Sequence, residues 1–148
     1  MLISYSVFLW VKFLQEIGGK VLDKILITNN PLIKEKFSNT YQVEFYDIEY
    51  IQILEIVRDK IHLGHKLLSH PLSSSIKPNQ SPFETVIITK NRTQLDMDSL
   101  MIIENSIQTA RKFAQDEGVC HWDKSALEDF QRVDFSLIEN ALKIHRYN

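Results

Sequence analysis

Residues 24–31, Lys24-Ile25-Leu26-Ile27-Thr28-Asn29-Asn30-Pro31, join a short apolar run to a helix start. The run is rich in β-branched side chains, which favour a strand. Asparagine is a preferred N-cap residue and proline suits the first helical position, so we expect a helix from Pro31 to about Phe37. The stretch therefore predicts the first strand-to-helix unit of an α/β fold.

Strand and helix patterns continue to alternate after this unit. Residues 41–46 alternate between polar and apolar side chains, as a second strand would. The apolar side chains that then recur at helical spacing are Ile51, Leu54, Val57 and Ile61. Gly64 suits the C′ position that ends such a helix.

The second half of the chain carries two further strand patterns and another helix. Residues 66–69 predict a short third strand, and residues 85–89, Thr-Val-Ile-Ile-Thr, predict a fourth. An amphipathic helix introduced by Asp96 or Asp98 follows the fourth strand. This order again alternates strands with helices.

Two capping boxes, Ser125-x-x-Glu128 and Ser136-x-x-Glu139, predict two short helices near the C terminus. The whole pattern predicts a three-layer α/β sandwich with a mainly parallel four-stranded sheet, for which we favour the order 2-1-3-4. The connection from residue 69 to residue 85 has no helical period, so an antiparallel or peripheral fourth strand stays open.

Length and composition indicate one domain. The chain has 148 residues, of which 44% are apolar and 24% charged, as is usual for a single domain with one core. We expect that domain to span residues 21–148 and residues 1–20 to be an N-terminal extension. The run Ile17-Gly18-Gly19-Lys20 can be encoded by a purine-rich ribosome-binding sequence. The extension is therefore either upstream sequence from a mis-assigned start or an added amphipathic helix.

Composition excludes several functional classes. A net charge of −2 argues against a general nucleic-acid binder, which needs a basic face. The apolar run near the N terminus is shorter than the roughly 20 residues that a bilayer helix needs, so no membrane association is predicted. Cys120 is the lone cysteine, which excludes an internal disulfide and favours a reducing, cytoplasmic compartment.

No cofactor and no metal are predicted. Four glycines in the whole chain leave no glycine-rich phosphate loop or dinucleotide fingerprint. His62, His65 and His70 are close in sequence, but the first two straddle the predicted helix end and no carboxylate lies nearby as a further ligand.

The central loop, which we define as residues 65–82, is polar and punctuated by prolines. Loops this long in compact domains are usually functional or disordered. No Asp or Glu occurs from Lys60 to Phe83, and this local positive balance suits an anionic ligand or partner. With strands in the order 2-1-3, the loops after strands one and three meet at the switch point of the sheet, where ligands bind.

The residues predicted to bind an anion come from these two loops. The start of the Pro31 helix would point free amides into the crevice, and Lys77 would supply a counter-charge. The alternative is that the asparagines cap the helix and the serines form turns. The predicted set is Thr28, Asn29, Asn30, Ser69, His70, Ser73, Ser74, Ser75, Lys77 and Asn79.

Several stretches resemble the GrdX family. They are Ile-Leu-Ile-Thr-Asn-Asn-Pro (25–31), Gly-His-Lys-Leu-Leu-Ser-His-Pro-Leu (64–72), Ile-Lys-Pro-Asn (76–79), and the later Leu-Asp-Met-Asp-Ser-Leu and Leu-Glu-Asp-Phe-Gln. Members of this family are encoded beside the subunits of the selenium-dependent glycine, sarcosine and betaine reductases of amino-acid-fermenting anaerobes. The resemblance implies that metabolic context and no particular reaction. Ser74 stands where the family pattern has a glycine.

Two hypotheses from different functional classes follow. The first is a non-catalytic accessory protein that binds an anionic small molecule or a reductase subunit through the central loop. The second is a small enzyme acting on a phosphorylated or carboxylated metabolite, with His70 as general acid–base and Lys77 as electrostatic stabiliser. We favour the first, and a homo-oligomer is compatible with either.

Overall fold

The computed structural model describes residues 23–72, 81–117 and 121–144. Within these residues, three strands and four helices follow one another along the chain. The strands are β1 (Lys24–Thr28), β2 (Gln42–Phe45) and β3 (Thr85–Thr89). The helices are α1 (Pro31–Phe37), α2 (Tyr50–His62), α3 (Met97–Glu117) and α4 (Lys124–Ile144). The predicted α/β class is confirmed.

The sheet of the described residues is three-stranded and mixed, with the order β2-β1-β3. β1 pairs with β2 in parallel, and Thr28 lies opposite Phe45. β1 pairs with β3 in antiparallel, and Thr28 lies opposite Thr85 at one end while Lys24 lies opposite Thr89 at the other. The predicted mainly parallel four-stranded sheet of order 2-1-3-4 is therefore wrong.

The error concerns residues 66–69, the predicted third strand. This segment contributes an isolated antiparallel bridge, Leu67 to Ile88, on the edge of β3 that faces away from β1. If β3 ran parallel to β1, it would also run parallel to the preceding segment 66–69. Such an arrangement needs a long crossover connection, usually a helix, and residues 70–84 have no helical period. The chain turns back instead, and β3 pairs antiparallel with β1. Of the alternatives left open for the predicted fourth strand, the antiparallel one is confirmed.

The helices cover both faces of the sheet, because successive side chains of β1 point to opposite faces. Ile25 and Ile27 pack in a core with α2 and α3, which includes the fully buried Ile53 and Ile103. Leu26 packs in a second core with α1 and α4. The sheet is thus the middle of three layers.

α4 is one continuous helix of 21 residues rather than the two short helices that the capping boxes predict. Asp123 begins it, since its Oδ1 accepts a hydrogen bond from Ala126 N over 2.8 Å. Ser136 is an exposed position in the middle of the helix. Beyond Ser136, Ile138 and Leu142 continue to pack against the sheet. The burial of these two side chains stabilises a continuous helix through a sequence that also suits a helix start.

The ends of α2 and α3 agree with the sequence. Gly64 follows the last turn of α2 with a φ of 105°, a left-handed conformation that favours glycine. Asp96 precedes α3, and its Oδ2 accepts hydrogen bonds from Ser99 N over 3.0 Å and from Ser99 Oγ over 2.6 Å. These contacts confirm Gly64 as a helix end and Asp96 as a helix start.

Candidate functional site

A buried polar cluster lies at the carboxyl end of β1. Thr28 ends β1, Asn29 and Asn30 follow it, and Thr85 begins β3 directly opposite Thr28. Asp134 reaches the same point from α4. Each of these five residues is at most 6% exposed. Their polar atoms therefore depend on partners within the protein.

Asn30 caps α1 and connects it to α4. Its Oδ1 accepts a hydrogen bond from Leu32 N over 3.0 Å. Its Nδ2 donates to Gln131 O over 3.0 Å and to Asp134 Oδ2 over 2.9 Å. Since Pro31 has no N–H and the Leu32 amide is bonded to Asn30, neither group is directed at a ligand. The capping role of Asn30 is thus confirmed.

The hydroxyl groups of Thr28 and Thr85 form a directed chain of hydrogen bonds. Thr85 Oγ1 donates to Asp134 Oδ2 over 2.6 Å, which uses its hydrogen. Thr28 Oγ1 therefore donates to Thr85 Oγ1 over 2.7 Å and accepts from Asn30 N over 2.9 Å. The chain ends on a carboxylate, which accepts without donating. Its direction links the end of β1 through β3 to α4.

Asn29 holds three backbone segments together. Its Nδ2 donates to Ile48 O and to Pro82 O, each over 2.9 Å. Its Oδ1 accepts from Glu84 N over 2.8 Å. Because Pro82 ends the central loop, these bonds fix the return of that loop beside β1. The two amide hydrogens and the carbonyl oxygen of Asn29 are all engaged in the fold.

Glu84, which precedes Thr85, adds a second carboxyl group to this cluster. Glu84 and Asp134 carry buried carboxyl groups, 0% and 1% exposed. Burial, followed by the charge of Glu84, its hydrogen bond and the charge of Asp134, raises the pKa of the Tyr50 phenol. The phenol therefore stays protonated at neutral pH. An anion close to these carboxyl groups in their ionised form would be repelled, so this cluster does not favour an anionic ligand.

β3 separates the two loops that were predicted to form one crevice. Ser69 lies on the outer edge of β3, where its N–H donates to Ile87 O over 3.1 Å and its Oγ accepts from Ile87 N over 2.6 Å. The segment 66–69 and β1 both run antiparallel to β3, so Ser69 and Asn29 leave the sheet at the same end. Both loops leave the sheet at this end, but β3 lies between them.

His70 is held in one orientation by the turn that follows it. Leu72 N donates a hydrogen bond to His70 Nδ1 over 3.1 Å. A neutral imidazole has one acceptor nitrogen and one donor nitrogen, so this bond assigns the hydrogen to Nε2. Burial lowers the pKa of His70, which favours the neutral form at pH 7. His70 therefore presents Nε2–H as a hydrogen-bond donor.

The remaining predicted residues lie outside the described part of the chain. They are Ser73, Ser74, Ser75, Lys77 and Asn79. Their binding roles stay predictions, as do those of Thr28, Asn29, Asn30, Ser69 and His70. What the structure adds for the latter group is a role in the fold, because each makes at least one hydrogen bond to a segment or turn it stabilises.

Three residues of the cluster were missed by sequence reasoning: Glu84, Thr85 and Asp134. Thr85 was assigned to a strand that was expected to lie away from β1. Asp134 lies four residues before Ile138, a buried position of α4. The sequence signal for Asp134 was its position, as an acidic side chain, on the apolar face of a helix. A carboxyl group buried at such a position needs partners.

Neither a metal centre nor a membrane span occurs in residues 23–72, 81–117 and 121–144. No group of three or more His, Cys, Asp or Glu side chains in this part of the chain is placed to hold a metal ion. None of its helices is long and apolar enough to cross a bilayer.

Comparison with known proteins identifies a family. Residues 25–143 match the family model described as GrdX-like protein. This match runs from Ile25 in β1 to Lys143 in the last turn of α4 and covers about four-fifths of the chain. No curated protein and no solved structure matches the chain significantly.

Proposed function

The chain belongs to the GrdX-like protein family, and we propose that it is a non-catalytic accessory protein of glycine, sarcosine and betaine reductase metabolism. It binds an anion through the central loop. The anion is carried either by a small metabolite or by an acidic face of a reductase subunit. The metabolic context comes from the family, and the mode of binding is argued from His70 and from the two ends of the loop.

The observation that carries the proposal is the hydrogen bond from Leu72 N to His70 Nδ1. It occupies the only lone pair of a neutral imidazole and leaves Nε2–H as a donor. A donor in a fixed orientation suits an oxyanion, since no rotation is needed to meet the ligand. Because burial lowers the pKa of His70, the side chain binds as a neutral donor and does not depend on its own positive charge.

Both ends of the central loop are fixed to the sheet. At the first end, His65 Nδ1 lies 2.7 Å from Thr89 O, and Leu67 N donates to Ser99 Oγ over 3.0 Å. At the second end, Pro82 O accepts from Asn29 Nδ2. The fold thus holds both ends of the loop, and we expect the polar residues between them, including Lys77, to take part in recognition.

The same hydrogen bond argues against the enzymatic alternative. A general base must offer a free lone pair to the proton that it removes. In neutral His70 the lone pair is on Nδ1, where it already accepts from Leu72 N. Catalysis by His70 would first require this bond to break, whereas binding through Nε2–H uses the imidazole as it is held.

Two substitutions of His70 separate binding from folding. In His70→Asn, the side-chain oxygen takes the position of Nδ1 and can accept from Leu72 N, but no donor remains at the position of Nε2. In His70→Gln, a donor reaches the position of Nε2 while the bond to Leu72 is lost. We expect the His70→Asn protein to keep its stability and lose binding. We expect the His70→Gln protein to lose stability and keep part of its binding.

Binding is measured by capture of reductase subunits from an extract of an amino-acid-fermenting anaerobe, with native mass spectrometry of co-purifying small molecules. His70→Asn should reduce capture at least about tenfold, the effect of one charge-assisted hydrogen bond, as should Lys77→Ala. Capture should also fall as salt rises, because exposed charges are screened within about 10 Å at moderate ionic strength. Unchanged capture by a folded His70→Asn protein would contradict the proposal.

A further inference from the structure

An open cavity lies beside the amino end of β1, at the end of the sheet opposite the buried polar cluster. It is lined by side chains from three neighbouring segments: Lys24 at the start of β1, Thr89 at the end of β3, and Lys66 on the outer edge of β3. Lys24 lies directly opposite Thr89 in the ladder. Lys66 is tied to the same threonine, because Thr89 N donates to Lys66 O and Lys66 N donates to Thr89 Oγ1, each over 2.9 Å.

The walls of this cavity are fixed by backbone hydrogen bonds. Lys90 N donates to Asp23 O over 2.8 Å, and Thr93 N donates to Gly64 O over 2.9 Å. The turn after β3 is thereby held against the start of β1 and the end of α2. The cavity is partly open to solvent, and its volume is about 230 Å³. This volume suits a small metabolite.

The charges in the cavity are unbalanced. Lys24 and Lys66 bring two ammonium groups and Asp23 brings one carboxylate, so one positive charge is in excess. Within the described part of the chain, neither lysine forms an ion pair. Lys24 is only 3% exposed, and a lysine so deeply buried usually has a partner for its charge.

We propose that this cavity binds a small metabolite bearing a carboxylate or phosphate group, with Lys24 and Lys66 holding the oxyanion. Leu68, Asn91 and Thr93 also line the cavity, and Asn91 offers an amide to the polar groups of the same ligand. Burial lowers the pKa of Lys24, while the charge of Asp23 acts in the opposite direction. A bound oxyanion would supply the missing partner and raise the pKa of Lys24 again.

This inference does not rest on the proposed function. The cavity lies beside the amino end of β1, whereas His70 follows the segment that leaves the sheet at the carboxyl end of β1. The two sites therefore have separate variants and separate readouts.

The test is an NMR titration of the isotopically labelled full chain with three probes: inorganic phosphate, acetate and glycolate. Ionic strength is held constant with potassium chloride, so that general screening does not change. We expect saturable shifts of the Thr89, Asn91 and Thr93 amides. Saturation by phosphate alone assigns a phosphate-bearing ligand, and saturation by the carboxylates assigns a carboxylate-bearing one.

Three variants locate the site. Lys24→Met and Lys66→Met keep the aliphatic stems and remove the charges, and each should weaken binding at least about tenfold, as for a lost charge-assisted hydrogen bond. Lys112→Met, at an exposed position of α3, is the matched control and should bind as the unchanged chain does. Lys66 is half-buried, so its variant remains informative if Lys24→Met does not fold.

Three results would overturn the proposal. The first is the absence of saturable shifts with all three probes. The second is equal weakening by Lys112→Met, which would indicate general charge effects. The third is loss of binding in a folded His70→Asn protein, which would place the anion at His70 instead of in this cavity.

Discussion

Asn30 Nδ2 donates a hydrogen bond to Asp134 Oδ2 over 2.9 Å, between residues that lie 104 positions apart in sequence. Asn30 also caps α1 through its Oδ1. One side chain therefore sets the start of a helix beside β1 and positions α4 against the sheet. Since Asp134 also accepts from Thr85 Oγ1, the same contact connects α1 and α4 with the sheet.

Substitution of Asn30 should be strongly destabilising. Asn30→Ala removes an N-cap, which typically costs about 1 kcal/mol. It also leaves the Gln131 carbonyl and the buried Asp134 carboxyl group without one donor each, which adds about 1–3 kcal/mol. We expect the free energy of unfolding, measured by urea denaturation, to fall by about 2–4 kcal/mol.

Two further variants test the origin of that loss. Asn39→Ala changes an exposed asparagine in the turn after α1 and should alter stability by less than about 0.5 kcal/mol. Asn30→Ser keeps a cap acceptor and removes the two amide hydrogens, so its stability should lie between those of Asn30→Ala and the unchanged chain. If Asn30→Ser is as stable as the unchanged chain, the contact with Asp134 contributes nothing.

Local features of this region were predictable, and the long-range partner was not. The sequence Thr-Asn-Asn-Pro predicts a cap and a helix start because both depend on neighbouring residues. The partnership of Asn30 with Asp134 depends on where α4 packs, which follows from the burial of Ile138 and Leu142 far along the chain. Local patterns carry no information about such a distant pairing.

Gly64→Ala should destabilise the end of α2. Gly64 has a φ of 105°, which disfavours any residue with a Cβ, and an added Cβ would collide with the carbonyl oxygen of Thr93. Since that oxygen belongs to the backbone, no side-chain rotation relieves the contact. We expect a loss of about 2 kcal/mol or more, measured as a lower melting temperature. Leu63→Ala, at the exposed preceding position, should change stability by less than about 0.5 kcal/mol.

Ser69→Ala should reduce stability although Ser69 was predicted as a ligand-binding residue. Ser69 Oγ accepts from Ile87 N over 2.6 Å, and both residues are buried. Without the hydroxyl, the Ile87 amide has no acceptor on that edge of β3, which costs about 1–3 kcal/mol. Ser136→Ala changes an exposed serine of α4 and serves as the control in the same urea measurement. Equal stability of the two variants would contradict the structural role of Ser69.

The strand order was the part of the fold that sequence patterns could not settle. Residues 66–69 and 85–89 are both short and apolar, so either could lie next to β1. The difference lies in pairing: β3 forms a five-residue ladder with β1, whereas the first segment forms one bridge at Leu67. Because a ladder is stabilised by its cross-strand pairs, the segment with the longer pairing, β3, lies next to β1.

The free energy of unfolding should decrease as the pH falls, because His70 titrates. Burial lowers the pKa of His70 in the folded state below the ordinary value of 6.5. Just below that value the unfolded chain binds a proton that the folded chain does not, so the free energy of unfolding decreases as pH falls and recovers as pH rises above it. His70→Asn cannot titrate and can keep the bond from Leu72 N. Its stability should match that of the unchanged chain at about pH 7.5 and exceed it at about pH 5. Urea denaturation at both pH values measures the difference, and parallel pH profiles for the two proteins would show that His70 does not contribute.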